Sequence, residues 1–94
     1  MQVSELTGAA LNWAVALANR QAEFWTTDNY STQWVLGGPI IEREKLTIEW
    51  TGEDWMAFIR HDEEFFGPTP LIAAMRCYVS SKLGDEIEVP EELK

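Results

Sequence analysis

The sequence has few of the residues from which most catalytic and metal sites are built. Its 94 residues include one cysteine, Cys77, and one histidine, His61. A single cysteine excludes an internal disulfide framework and suits a reducing compartment. Zinc sites generally need several His or Cys ligands. We therefore interpret His61, which precedes three acidic residues, as an exposed loop residue and predict no metal site.

Basic residues are also scarce. Seven Lys and Arg stand against 16 Asp and Glu, which gives a formal net charge of −9. This balance argues against direct nucleic-acid binding, which needs a basic footprint, and against attraction to an anionic membrane. The sequence also lacks an apolar run approaching the ~18 residues of a membrane span and a basic-then-apolar N-terminal signal. We expect a soluble protein that is not exported.

The residues that are abundant favour a globular protein. Hydrophobic residues make up 46% of the chain and include five Trp, which is more than a disordered segment carries. The length predicts a single domain over residues 1–94. Five acids crowd into residues 85–94, which we interpret as a solvated acidic C-terminal tail.

Two main helices are predicted. The first, near residues 4–19, has Ser4 as its N-cap and contains Gly8 in its interior. The second covers residues 69–83, with Thr69 as N-cap, Pro70 at the first helical position and Gly84 after the last turn. Together with the strands below, these helices predict a buried set of Leu6, Trp13, Leu17, Ile48, Phe58, Leu71, Met75 and Val79.

Period-two alternation over residues 46–50 predicts a strand, and residues 55–60 form the returning strand of a hairpin after a turn at 51–54. Residues 65–66 are compatible with a third strand, and residues 23–27 give a weaker strand signal. The predicted fold class is α+β, a small antiparallel sheet covered by two main helices.

The segment Gly37-Gly38-Pro39 is predicted to be a loop. Bare glycine N–H groups approach a phosphate or carboxylate closely, and aromatic side chains nearby in sequence offer a surface for a nucleobase. A tight turn without function is the alternative. The candidate ligand-binding residues are Tyr30, Trp34, Gly37, Gly38, Pro39, Arg43, Thr69 and Arg76.

No catalytic group is predicted. Cys77 lies in the middle of a helix, which favours a buried structural thiol over a nucleophile. Glu42 and Glu44 share a face if their segment is a strand and diverge if it is helical, and without a second polar cluster we interpret them as solvated charges. No glycine-flanked nucleophile elbow surrounds Ser80. We predict a protein that is not an enzyme and has no cofactor.

Three stretches carry a family resemblance: residues 30–34, 37–44 and 67–79. There the chain resembles the NinX-like family of small bacteriophage and prophage proteins of unknown function. A further likeness, in residues 30–32 and 69–71, is to phage domains with a sheet between helices. The resemblance implies an accessory protein that acts in the cytoplasm of an infected bacterial host, and it implies no catalytic residues.

Two functions follow as hypotheses. In the first, the protein counters host defence by binding and sequestering a small nucleotide-type immune signal. In the second, it is an acidic protein–protein inhibitor or DNA mimic that acts on a host protein. The oligomeric state stays open, and a homo-oligomer is compatible with the sequence.

Overall fold

The computed structural model of the chain describes residues 1–19, 28–60 and 63–93. Short 3-10 turns lie near both ends, at Val3–Glu5 and Glu91–Leu93. Between them the order is helix α1 (Gly8–Ala18), helix α2 (Trp34–Glu44), strands β1 (Thr47–Trp50), β2 (Trp55–Phe58) and β3 (Phe65–Gly67), and helix α3 (Pro70–Leu83). This arrangement confirms the α+β fold class.

Helix α3 begins and ends where the sequence predicts. The Thr69 hydroxyl oxygen accepts a hydrogen bond from the backbone N–H of Ile72 at 3.1 Å, and Pro70 occupies the first turn. Gly84 ends the helix with a φ of 89°, a conformation that only glycine adopts at little cost.

Helix α3 is the middle layer of the fold. It packs against all three strands on one side and against α1 and α2 on the other. As a result residues 73–79 are all buried, and the helix has no solvent-facing stripe in its central turns. Polar side chains in this stretch, Arg76 above all, must find partners inside the protein.

The three strands form an antiparallel sheet in the order β1-β2-β3, so both the predicted hairpin and the third strand are confirmed. Ala57 lies opposite Ile48 on β1 and opposite Phe65 on β3, and these residues pack towards the core. Side chains alternate between the faces of a sheet. Met56 and Phe66, which pair with each other, therefore lie on the outer face.

Helix α1 begins later than predicted. Ser4 lies in the preceding 3-10 turn rather than at the helix N-cap, and the helix starts at Gly8. Gly8 has a φ of +53° and no atom near its missing Cβ, so it serves the change of direction and not a close packing contact. The predicted interior glycine is thus a start residue.

The buried face of α1 is also rotated from the predicted one. Leu17 is exposed and Trp13 only partly buried, whereas Leu11 and Val15 are fully buried. Alanines lie on both sides of this helix, so the apolar pattern does not define one face. In the sheet, Ile48 is half-buried. Burial is confirmed for the other predicted core residues, Leu6, Phe58, Leu71, Met75 and Val79.

Helix α2 corrects the prediction for Gly37-Gly38-Pro39, which is not a loop. One helix runs through all three residues. A Cβ on the buried Gly37 would lie 2.5 Å from Leu71 Cδ1, so the glycine lets α2 approach α3. Pro39 lacks the N–H that would bond the Val35 carbonyl, and Val35 is 79% exposed, so the lost bond falls on a solvent-exposed turn of the helix.

The C-terminal segment is not a solvated tail up to residue 89. The Val3 N–H donates to the Asp85 carbonyl at 2.8 Å, and the Ile87 N–H donates to the Met1 carbonyl at 3.0 Å. Val89 is 5% exposed and joins the hydrophobic core. The alternation of Ile87 and Val89 with glutamates is a strand-like signal that the high acid content hides.

Two predictions lie outside the described residues, namely the strand over 23–27 with its Trp25 and the position of His61. In the part of the chain that is described, no helix has both the length and the apolar character to cross a membrane.

Candidate functional site

The glycine segment does not form an anion-binding loop. The Gly37 N–H donates to the Gln33 carbonyl at 3.0 Å, as expected inside a helix, and Pro39 has no N–H to offer. Gly37 is also buried beneath Leu71. The backbone donors that motivated a phosphate site are therefore used within α2.

The predicted ligand-binding residues are divided among separate places. Tyr30 is 4% exposed and belongs to the core. Trp34 and Thr69 line one hollow of about 200 Å³. Arg43 lines a second of about 320 Å³, and Arg76 lines a third of about 510 Å³.

Helix geometry keeps the first two hollows apart. Trp34 and Arg43 are nine residues apart on α2, which places their side chains on opposite sides of the helix and about 13 Å apart along its axis. One small ligand cannot stack on Trp34 and bind Arg43 together.

The Arg43 hollow contains a polar network that joins three helices. Arg43 Nη2 donates to Asn19 Oδ1 and to the Tyr78 hydroxyl, each at 3.0 Å. The Tyr78 hydroxyl donates to the same Asn19 oxygen at 3.2 Å. The Arg43 guanidinium also lies 5.6 Å from the centroid of the Tyr78 ring, within reach of a cation–π interaction.

Two cations meet one carboxylate in this hollow. Glu44 contacts Arg43 Nε at 2.9 Å and Lys82 Nζ at 3.1 Å. The hydrogen bond from Arg43 lowers the pKa of Glu44 below its usual value, and the same bond raises the pKa of Arg43. The formal charge of these three groups is +1, in a protein of net charge −9.

The Arg76 groove runs beside β3. Arg76 is 9% exposed, and its Nε donates to the Leu6 carbonyl at 2.9 Å while its Nη1 donates to the Phe66 carbonyl at 2.6 Å. Burial lowers the pKa of Arg76. The side chain thus ties the N-terminal turn and the edge strand to α3, and it also lines the groove.

Carboxylates surround this groove. Glu53, Asp54 and Glu64 line it, and no Lys or Arg of the described residues lies within ion-pair distance of them. We call these three residues the acidic rim. Asp54 is held in place by a hydrogen bond of 2.7 Å from the Thr51 hydroxyl.

An exposed aromatic side chain accompanies the acidic rim. Phe66 lines the groove and is 44% exposed. Trp50 is 56% exposed, but it does not line the groove and lies on the opposite face of the sheet from Phe66. The Trp50 ring packs on the Trp55 ring with centroids 5.2 Å apart, and Trp55 pairs with Gly67 on β3. Protein–protein interfaces are enriched in large aromatic side chains and have a polar rim around them.

Sequence reasoning missed the buried Asn12. Its Oδ1 accepts from the Ser31 N–H at 2.9 Å and from the Ser31 hydroxyl at 2.7 Å. Its Nδ2 donates to Asn29 Oδ1 at 3.2 Å. This cluster holds α1 against the segment that leads into α2. A lone polar residue among the apolar positions of α1 is the signal for it.

Cys77 is a buried thiol, as predicted. It is 3% exposed, and burial raises its pKa to about 11, the opposite of what a nucleophile needs. Among residues 1–19, 28–60 and 63–93, no group of three His, Cys, Asp or Glu is placed to hold a metal ion.

Comparison with known proteins gives one family. The family profile described as "Bacteriophage P22, NinX" matches residues 17–82. The match covers all of α2, the sheet and nearly all of α3, and so includes the acidic rim and Arg76. No curated protein matches the chain.

Proposed function

The chain belongs to the bacteriophage P22 NinX family, and from this premise we propose that it is a non-enzymatic accessory protein that inhibits a host protein. It acts in the cytoplasm of the infected bacterium by binding a basic surface of that protein. The binding face is the acidic rim together with Phe66.

The observation that carries the proposal is one groove lined both by the exposed Phe66 ring and by three carboxylates that form no ion pair within the described residues. Aromatic residues are enriched at protein interfaces, where they bury large apolar areas. The surrounding charges speed the encounter with a partner of opposite charge and select against other partners. The net charge of −9 acts in the same direction.

The proposal is tested by a variant of the acidic rim in which Glu53→Gln, Asp54→Asn and Glu64→Gln are combined. Exposed charge pairs contribute about 0.5 kcal/mol each, so the loss of three corresponds to roughly a tenfold lower affinity. The amount of host protein captured from a bacterial lysate, measured by quantitative mass spectrometry, should fall accordingly and should also fall with added salt.

A matched control separates the position of the charges from their number. Glu42→Gln, Glu88→Gln and Glu92→Gln, three exposed acids outside the groove, remove the same charge. This control should capture as much host protein as the parent. Equal capture by the rim variant and the control would contradict the proposed binding face.

Sequestration of a nucleotide-type ligand is the second candidate function, and one observation favours it. Arg43 and Lys82 meet in a hollow of about 320 Å³ beside the Tyr78 hydroxyl. Two cations and a phenol suit a phosphate group. Against it, Glu44 already pairs with both cations, so a phosphate has to displace that carboxylate.

Calorimetric titration of cyclic and linear nucleotides distinguishes the second candidate from the first. If the hollow is the site, Arg43→Gln abolishes the binding heat, whereas Arg60→Gln, at an exposed arginine outside the hollow, leaves it unchanged. No binding to the parent protein, or equal binding to both variants, would remove this candidate.

A further inference from the structure

The Arg76 groove contains a buried cation without a counter-charge. An arginine has five N–H donors, and two of those of Arg76 bond the carbonyls of Leu6 and Phe66. Three donors remain without a partner in the described part of the chain. No Asp or Glu there forms an ion pair with Arg76 either. A charge that is nine-tenths buried favours an anionic partner, because burial removes most of its hydration.

The two existing bonds fix the plane of the guanidinium. They run to Leu6, which follows the N-terminal 3-10 turn, and to Phe66 of β3, and both acceptors are backbone carbonyls. A guanidinium held in this way is preorganised for a carboxylate, which accepts two parallel N–H bonds from it. Little side-chain entropy is then lost on binding.

The acidic rim restricts what the anion is. Glu53, Asp54 and Glu64 place three formal negative charges around the entrance. They repel a phosphate, which carries up to two negative charges, and attract a cation. The ligand that satisfies both the rim and Arg76 has one carboxylate with a positive group close to it.

We propose that this groove binds the C-terminal carboxylate of a protein whose last residues include Lys or Arg, with the carboxylate on Arg76 and the basic side chain at the acidic rim. The groove of about 510 Å³ is within the size range of ligand sites, and Phe65 and Pro68 in its wall offer apolar contact to the peptide. This assignment rests on the proposed function, because it names the part of the partner that contacts the acidic rim.

The experiment is a calorimetric titration of the whole protein with three short acetylated peptides. The first ends in Lys-Leu with a free carboxylate, the second is its C-terminal amide, and the third has Glu in place of Lys. The first peptide should bind at least about tenfold more tightly than either of the others. The amide loses the charge-assisted bidentate contact with Arg76, and the peptide with Glu brings a negative charge to the acidic rim. Equal binding of the acid and the amide, or no binding of the acid, overturns the assignment.

Variants of the protein locate the contact. Arg76→Lys keeps the charge but removes the fork, and should lose at least about tenfold in affinity for the free acid. Arg60→Lys, at an exposed arginine outside the groove, should bind as the parent does. If Arg76→Lys does not fold, the comparison of acid and amide on the parent protein still decides.

Two further results separate this inference from others. Nα-acetylarginine carries the same two charges, and binding of Nα-acetylarginine as tightly as the peptide overturns the assignment to a protein terminus. If the peptides fail while the rim variant still loses its captured host protein, only the terminal-carboxylate assignment is wrong. If the rim variant loses nothing, the proposed function itself fails.

Discussion

The two adjacent glycines of α2 provide a matched test of how that helix packs. A Cβ on Gly38 meets no atom within 4 Å, whereas a Cβ on Gly37 would lie 2.5 Å from Leu71 Cδ1 and 2.8 Å from the Tyr30 carbonyl oxygen. Both positions are helical, so alanine brings the same gain in helix propensity, about 0.5–1 kcal/mol. Only Gly37 adds a packing penalty.

The magnitude of that penalty follows from the atoms involved. The Leu71 methyl is the end of a flexible side chain and moves in part, but the Tyr30 oxygen belongs to the backbone. Overpacking of this kind costs about 1–3 kcal/mol. We therefore expect Gly38→Ala to raise the free energy of unfolding by about 0.5–1 kcal/mol. The free energy of unfolding of Gly37→Ala should be about 1–3 kcal/mol lower than that of Gly38→Ala.

Urea unfolding followed by tryptophan fluorescence measures both values. The difference between the variants isolates the packing term, because the propensity gain cancels. Equal stability of Gly37→Ala and Gly38→Ala would refute the close approach of α2 to α3. A destabilised Gly38→Ala would refute the helix itself at this position, and would restore the loop that the sequence predicts.

Four further predictions follow from single contacts. Asn12→Ala should destabilise the fold by about 1–3 kcal/mol in urea unfolding, because it leaves the buried donors of Ser31 without an acceptor, and a neutral effect would contradict this. Lys45→Gly should raise the melting temperature, because Lys45 has a left-handed backbone with φ of 58°, and relief of this conformation adds about 1 kcal/mol to the free energy of unfolding. A lower melting temperature would mean that Lys45 has another conformation. Val89→Ala should lower the free energy of unfolding by about 1.5 kcal/mol, at ~0.8 kcal/mol per buried CH₂. An unchanged free energy of unfolding would mean that residues 85–93 form a free tail. Burial raises the pKa of Cys77 to about 11 from an ordinary value of 9.0, so the thiol ionises at lower pH in the unfolded chain than in the folded protein. The free energy of unfolding should therefore decline from pH 9 to pH 11, and should decline less in Cys77→Ala. The same pH dependence in both proteins would contradict the burial of the thiol.

Local signals predicted α3 and the hairpin because each was specified several times over. Thr69, Pro70 and Gly84 mark the two ends of α3 independently of its apolar residues. The sheet was specified by alternation over residues 46–50 and by the turn that follows. In such segments local preference and tertiary packing agree, and sequence reasoning succeeds.

Helix α2 shows where local reasoning fails. Gly, Gly and Pro are each unfavourable inside a helix, and their sum predicts a break. The helix nevertheless forms because Gly37 allows close packing on Leu71 and because Ile40 is buried in the core. These contacts join residues more than 30 positions apart, and no local pattern reports them.

The sequence predicts some of the residues of the candidate site but not their arrangement. The net charge and the scarcity of ion-pairing cations are visible in the sequence, and Arg76 was named as a binding residue. The groove itself combines Arg76 with the acidic rim, which comes from two different turns of the sheet. Their meeting depends on the register of β2 and β3 and on the position of α3, which are tertiary facts.

The central claim is that the acidic rim with Phe66 contacts a host protein, and site-specific photocrosslinking in infected bacteria tests it most directly. A photoreactive residue at position 66 samples this face, and one at position 35, where Val35 is 79% exposed, samples a control surface on α2. We predict an adduct with a host protein from position 66 and none from position 35. An adduct from position 35 alone, or from neither position, would contradict the claim.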